Sequence, residues 1–249
     1  MHSAPQDPEA PQDPETPHDP EAPQNSTPPP HGTAAAKTSA AWWGAGVLGT
    51  LSVLLLCAVA ASWAPLLDLD DSLARTTHRW AVADPALTHA NRILTDWVWD
   101  PWTMRALCTA LVIWLWLRGH RRLAVWTGAA CLVATIFQQV LKAVVGRERP
   151  SWPDPVDSAN FAAFPSGHAM TATVVCGLFV WVLKRLGTGP AVRRAVLAVA
   201  VVSVLGVGLT RVWLGVHWPS DVVGGWLFGA FLVLLCPLLY GRRAQPGRP

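Results

Sequence analysis

The chain has 249 residues; 51% are apolar and only 14% are charged, where soluble domains carry about 25%. Residues 1–40 hold six acidic groups and Lys37, a net of −5, whereas the rest holds 18 Lys or Arg against 10 acidic residues, a net of +8. This is a membrane-type composition that excludes an ordinary soluble domain, and no basic run with interleaved aromatics argues for nucleic acid.

Taken in chain order, residues 1–40 read as a disordered, acidic, proline-rich cytoplasmic tail. Pro5-Gln6-Asp7-Pro8-Glu9-Ala10 recurs from Pro11 and again from Pro17, and such a repeat cannot bury a core. Residues 41–241 read as an all-α domain, an integral membrane bundle of six transmembrane helices. The spans run approximately over 42–63, 103–118, 123–145, 168–187, 192–212 and 222–240. A helix needs roughly 20 apolar residues to cross the hydrocarbon, and the second span is short by that measure. The loop 64–101 is long for a connection, and its stretch 72–98 mixes apolar and polar residues as an interfacial helix does. Residues 242–249 form a basic C-terminal tail.

Loop charges set the orientation. Arg118, Arg121 and Arg122, then Lys184, Arg185, Arg193 and Arg194, then Arg242, Arg243 and Arg248 share one side under six spans. That side is cytoplasmic by the positive-inside rule, with both termini there. The loops 64–101, 146–167 and 213–221 then face outward, where Arg147, Arg149 and Arg211 break the charge trend. Trp63, Trp97, Trp99, Trp102, Trp152, Trp213 and Trp218 fall at this outer interface as an aromatic belt. The cysteines, Cys57, Cys108, Cys131, Cys176 and Cys236, are odd in number and sit inside apolar runs without Cys-x-x-Cys spacing. They read as small buried hydrophobes, with neither a disulfide framework nor a zinc site.

Three polar clusters interrupt the apolar chain: Lys142 with Arg149-Pro150, Pro165-Ser166-Gly167-His168, and Arg211 with His217 and Asp221. Charged groups at the edge of a span are costly unless partnered or functional. The segment between His168 and Arg211 is long enough for one helix away and one helix back. The spacing therefore predicts that all three clusters meet at the outer membrane face.

The residue types fit phosphoryl transfer, which needs positioning and neutralisation of the phosphate oxygens. Arg149 and Arg211 offer planar forks, Lys142 a point charge, and Ser166-Gly167 an anion-binding helix start. His217 has Asp221 four residues on, a carboxylate able to fix its tautomer and stabilise its cation, which favours His217 as nucleophile. His168 lacks such a partner and is the candidate general acid, a role worth about 10²–10⁴-fold. Arg147 and Glu148 read as solvating the loop and stay outside this set.

Lys142-x6-Arg149-Pro150, Pro165-Ser166-Gly167-His168 and Arg211-x5-His217-x3-Asp221 together resemble the three-part signature of the type 2 phosphatidic acid phosphatases. That family shares a superfamily with bacterial acid phosphatases and vanadium haloperoxidases. The resemblance covers about residues 41–240. It implies a phosphohistidine on His217 supported by Asp221, leaving-group protonation by His168, and phosphate binding by Lys142, Arg149, Ser166, Gly167 and Arg211. It also implies catalysis without metal or cofactor. One departure is Thr210, which stands where the third motif usually begins with Ser; the retained hydroxyl implies a modest effect on phosphate contacts.

The expected activity is hydrolysis of a membrane phosphomonoester or pyrophosphate lipid, of the undecaprenyl pyrophosphate, phosphatidic acid or phosphatidylglycerol phosphate type. The expected partners are that lipid and the bilayer. A lipid phosphotransferase using the same site, and a non-catalytic lipid-binding membrane protein, are the competing readings.

Overall fold

The computed structural model describes residue 2 and residues 32–242; most of the predicted acidic tail and nearly all of the basic C-terminal tail lie outside them. The described chain is helical, with α1 (Gly32–Ala60), α2 (Ala64–Ala83), α3 (Pro85–Ile93), α4 (Pro101–Leu117), α5 (Arg121–Val145), α6 (Gly167–Arg185), α7 (Pro190–Trp213) and α8 (Pro219–Arg242). A π-helical turn, Leu94–Val98, follows α3.

Local chemistry sets the breaks. Proline opens α3, α4, α7 and α8, where a missing N–H costs nothing. Asp84 caps α3 through Leu87 N–H, and Asp100 caps α4 through the Trp102 and Thr103 amides. Gly146 ends α5 in the left-handed region at φ 60, which turns the chain toward Arg147 and Arg149.

Five helices are long and apolar enough to cross a membrane: Ser39–Ala60, Arg121–Val145, Gly167–Arg185, Pro190–Trp213 and Pro219–Gly241. The second predicted span, 103–118, becomes α4, which has 17 residues. At 1.5 Å per residue it covers about 26 Å, the lower limit for crossing hydrocarbon. The six-span count is thus approximate: five helices are of full length, and α4 is shorter.

Helix α6 is the hub, packed by α4, α5, α7 and α8, with α1 laid along α8. Phe164, Met170, Leu178, Val182, Val207 and Phe228 are buried at this centre. Outward faces stay apolar, with Leu54, Ile113, Val133, Ile136, Val199 and Leu209 exposed as a lipid-facing surface would be. At the end bearing Arg122 and Arg185, both guanidiniums stack on Tyr240 at 4.4 and 4.7 Å.

The loop 64–101 holds more helix than the reading gave it. α2 packs on α7 and α8, burying Asp70, Ala74, His78 and Ala81 on one face. The tryptophans read as a belt divide into exposed and packed rings. Trp63, Trp97 and Trp102 are exposed, but Trp99 is buried. The indole N–H groups of Trp152, Trp213 and Trp218 donate to Gly215 O, Thr88 Oγ1 and Glu148 O. These three rings bolt the connections together and are not free interfacial anchors. All five cysteines are free thiols; Cys108 and Cys236 are buried, whereas Cys57 is exposed on the apolar exterior.

Candidate active site

The three clusters converge at one end of the bundle. Lys142 lies in the last turn of α5 and Arg149 just beyond it; Ser166 caps α6, which starts with Gly167 and His168. Arg211 closes α7, His217 sits in the turn that follows, and Asp221 lies in the first turn of α8. His168 is within electrostatic range of Arg211, His217, Arg149 and Lys142.

The His217 ring is 1% exposed, with Nδ1 3.3 Å from Asp221 Oδ2 and Nε2 3.1 Å from Arg149 Nη1. A guanidinium only donates, so Nε2 carries the lone pair and Nδ1 the proton that faces the carboxylate. Burial, followed by the charges of Arg149, Arg211 and Lys142, holds this imidazole well below the ordinary histidine range. The ring is therefore neutral at pH 7, with the Nε2 lone pair turned to Arg149.

The cations are held by backbone carbonyls. Lys142 Nζ donates to Ala162 O, and Arg149 donates to Phe161 O and Asn160 O, both at 2.9 Å, and to Val216 O. Phe161 adopts φ 68, unusual for a residue with a side chain, and thereby turns its carbonyl to Arg149. Arg211 is 3% exposed; Nη1 reaches Thr95 Oγ1 at 3.3 Å and lies 3.8 Å from Asp157 Oδ2, while Nε has no partner. Asp96, in the π-helical turn, stands near both; burial and then Asp157 hold its carboxyl above the ordinary range.

Ser166 Oγ is buried without a hydrogen-bond partner, at the start of a helix and beside these cations. An orphaned hydroxyl, free helix N–H groups and three cations suit a tetrahedral oxyanion. Gly167 packs tightly, since a Cβ there would lie 2.9 Å from Gln138 Nε2. Thr210 turns away from the group, its hydroxyl donating to Val207 O at 2.8 Å within α7. Among the described residues no group of three or more His, Cys, Asp or Glu side chains is arranged to hold a metal ion.

Two residues escaped the sequence reading. Arg147 is no loop-solvating group: Nη1 donates to Asp221 Oδ1 and to Ser220 Oγ, each at 2.7 Å, and Nη2 reaches Asp70 Oδ2 at 2.8 Å. Asp70, 2% exposed, also accepts the Ser220 N–H at 2.9 Å and the Ser220 hydroxyl. The sequence carried a signal for each. Arg147 breaks the positive-inside trend, and Asp70 shares the i, i+4 stripe of Ala74 and His78.

The PAP2 superfamily matches residues 123–245, which hold all eight candidate site residues. A lipid A 1-phosphatase of Rhizobium etli is 32% identical over 130 residues, covering 47% of this chain and 52% of that protein, so the chain spans about half of this relative's length. A decaprenylphosphoryl-5-phosphoribose phosphatase of Mycobacterium tuberculosis is 34% identical over 147 residues, covering 58% of this chain and 74% of that protein. In structure, the chain resembles a transmembrane PAP2-type phosphatidylglycerolphosphate phosphatase of Bacillus subtilis, with a TM-score of 0.71, 21% identity, and coverage of 82% of this chain and 98% of the other. With its apolar helices, this likeness makes the protein a multi-pass membrane protein. The three motifs gathered at one end of the bundle and the two sequence likenesses have one explanation: the chain belongs to the PAP2 superfamily.

Proposed function

We propose that the protein hydrolyses a phosphorylated membrane lipid, a phosphomonoester or pyrophosphate, through a phosphohistidine on His217. The observation that carries this reading is the setting of the His217 ring: Nδ1 faces Asp221 Oδ2 while Nε2 lies among the cations that would hold the phosphate. Lys142, Arg149, Ser166, Gly167 and Arg211 bind the phosphoryl oxygens. The Nε2 lone pair attacks phosphorus, the bond from phosphorus to the lipid oxygen breaks, and His168 gives that oxygen its proton. Asp221 stabilises the imidazolium as the N–P bond forms. Water then attacks phosphorus, His168 accepts its proton, the N–P bond breaks and inorganic phosphate leaves. No step calls on a metal.

The relatives' names favour lipid substrates of the phosphatidylglycerol phosphate, lipid A or polyprenyl class. We place the site on the extracytoplasmic face, with both termini cytoplasmic. The support is charge asymmetry. Within residues 32–242 every Asp and Glu lies between residues 68 and 157 or at Asp221, in segments at the site end. The opposite end carries Arg118, Arg121, Arg122, Lys184, Arg185, Arg193 and Arg194.

The test is phosphate release by the purified protein from a panel of prenyl and glycerolipid phosphates, with and without EDTA. Release that survives EDTA and disappears in His217→Ala is expected. Dependence on added divalent metal, or substantial turnover in folded His217→Ala, overturns the mechanism. Phosphorylated acceptor in place of free phosphate would make the enzyme a phosphotransferase.

A further inference from the structure

We propose that Asp70 and Arg147 are positioning residues for the nucleophile, acting through Asp221; the inference rests on the reading of His217 as the attacking group. Arg147 bridges two buried carboxylates with separate nitrogens, Nη1 to Asp221 Oδ1 and Nη2 to Asp70 Oδ2. With Oδ1 taken, Asp221 has only Oδ2 to present to His217, and the Trp218 amide at 2.9 Å fixes that oxygen too. Asp70 in turn holds the guanidinium from the far side and caps the start of α8 through Ser220. The Trp218 ring covers the guanidinium at 5.6 Å, and its indole N–H is tied to Glu148 O.

Charge as well as geometry follows from this arrangement. Two carboxylates and one guanidinium leave this buried trio one negative charge in excess. That excess faces the ring that becomes cationic when Nε2 bonds to phosphorus, so the trio is arranged for the charge that develops in the reaction. Lysine could supply the positive charge but not a planar fork that spans two carboxylates. The pair also gives α2, outside all three motifs, a part in the chemistry: the helix sets Asp70, Asp70 sets Arg147, and Arg147 sets Asp221.

The experiment compares Arg147→Met, Arg147→Lys and Asp70→Asn in the full chain, using the panel lipid that the unaltered protein hydrolyses fastest and inorganic vanadate as a probe of the phosphate site. In Arg147→Met, kcat should fall about 100-fold, the scale of a misplaced reacting group, while KM and the vanadate inhibition constant stay close to those of the unaltered protein. Arg147→Lys and Asp70→Asn should fall between the two. The fall in kcat at unchanged KM and unchanged vanadate inhibition is the readout that a purely structural brace would not produce. Raised KM and weakened vanadate inhibition with kcat intact would make Arg147 a phosphate ligand and overturn the proposal. A lower unfolding temperature with kcat unchanged would make the pair a brace and also overturn it. If Arg147→Met does not fold, Asp70→Asn carries the same readouts with volume preserved. Should His217→Ala keep turning over, the nucleophile reading fails first; should it be inactive while the Asp70 and Arg147 variants match the unaltered protein, only the positioning role fails.

Discussion

The amide of Ser166 donates to the main-chain carbonyl of Asp221 at 2.9 Å, so the first turn of α6 and the first turn of α8 are held as one piece. The hydroxyl facing the anion pocket and the carboxylate facing His217 therefore cannot drift apart independently. Gly225 permits the contact, because a Cβ there would lie 2.8 Å from Ser166 O and 3.0 Å from Met170 N.

Gly225→Ala should push α6 from α8 at this point. Overpacking of this kind costs about 1–3 kcal/mol, so the unfolding temperature in detergent should fall together with phosphate release. Gly46→Ala is the control, since a Cβ there meets nothing within 4 Å. Matching unfolding temperatures in the two variants would show that the closeness at Gly225 has no consequence.

Asp221→Asn keeps the shape of the residue but removes its charge. If the carboxylate sets the His217 tautomer, kcat should drop by about 10⁴-fold, the scale seen when a triad aspartate becomes an amide. Steady-state kinetics should show KM little altered. A large rise in KM at constant kcat would place Asp221 in binding instead.

The depressed pKa of His217 makes a stability prediction as well. Below the unfolded value of about 6.5 the unfolded chain takes up a proton that the folded ring refuses. Stability is thus fully present above pH 6.5 and falls as the pH drops below it, by up to about 1.4 kcal/mol per pH unit for this one group, until the folded value is reached. Unfolding temperatures measured between pH 7.5 and 5 should decline, and His217→Gln should flatten the decline. An unchanged slope in His217→Gln would show that the ring is not buried in its neutral form.

Thr210 departs from the family pattern, and its hydroxyl is spent on Val207 O inside α7. Thr210→Ser should retain both kcat and KM, measured on the same lipid panel. A marked change in KM would mean that the hydroxyl swings to the phosphate during turnover.

The gathering of Lys142, Arg149, Ser166, Gly167, His168, Arg211, His217 and Asp221 at one end was legible, because each sits at or just past a helix end and span counting brings them to one side. Arg147 and Asp70 were not, for different reasons. Arg147 lies in the same loop as Arg149, where a solvated charge is the ordinary outcome, and its partner Asp70 comes from a segment 77 residues earlier. Asp70 itself stands in Leu67-Asp68-Leu69-Asp70-Asp71, where only the register of α2 tells the buried carboxylate from exposed Asp68 and half-buried Asp71. That Trp152, Trp213 and Trp218 tie connections together was not legible, because interfacial exposure and hydrogen-bonded packing share one composition; only the positions of Gly215, Thr88 and Glu148 separate them.

The carbonyls of Asn160, Phe161 and Ala162 each take a donor of Arg149 or Lys142. Lys142 spends one N–H on Ala162 O, and an ammonium has others to offer. On the proposed reading, segment 160–162 is then a template that fixes both cations before any lipid arrives. Little side-chain ordering is left for the moment of binding, so the cost of immobilising two long cationic side chains is met in the folding of the loop.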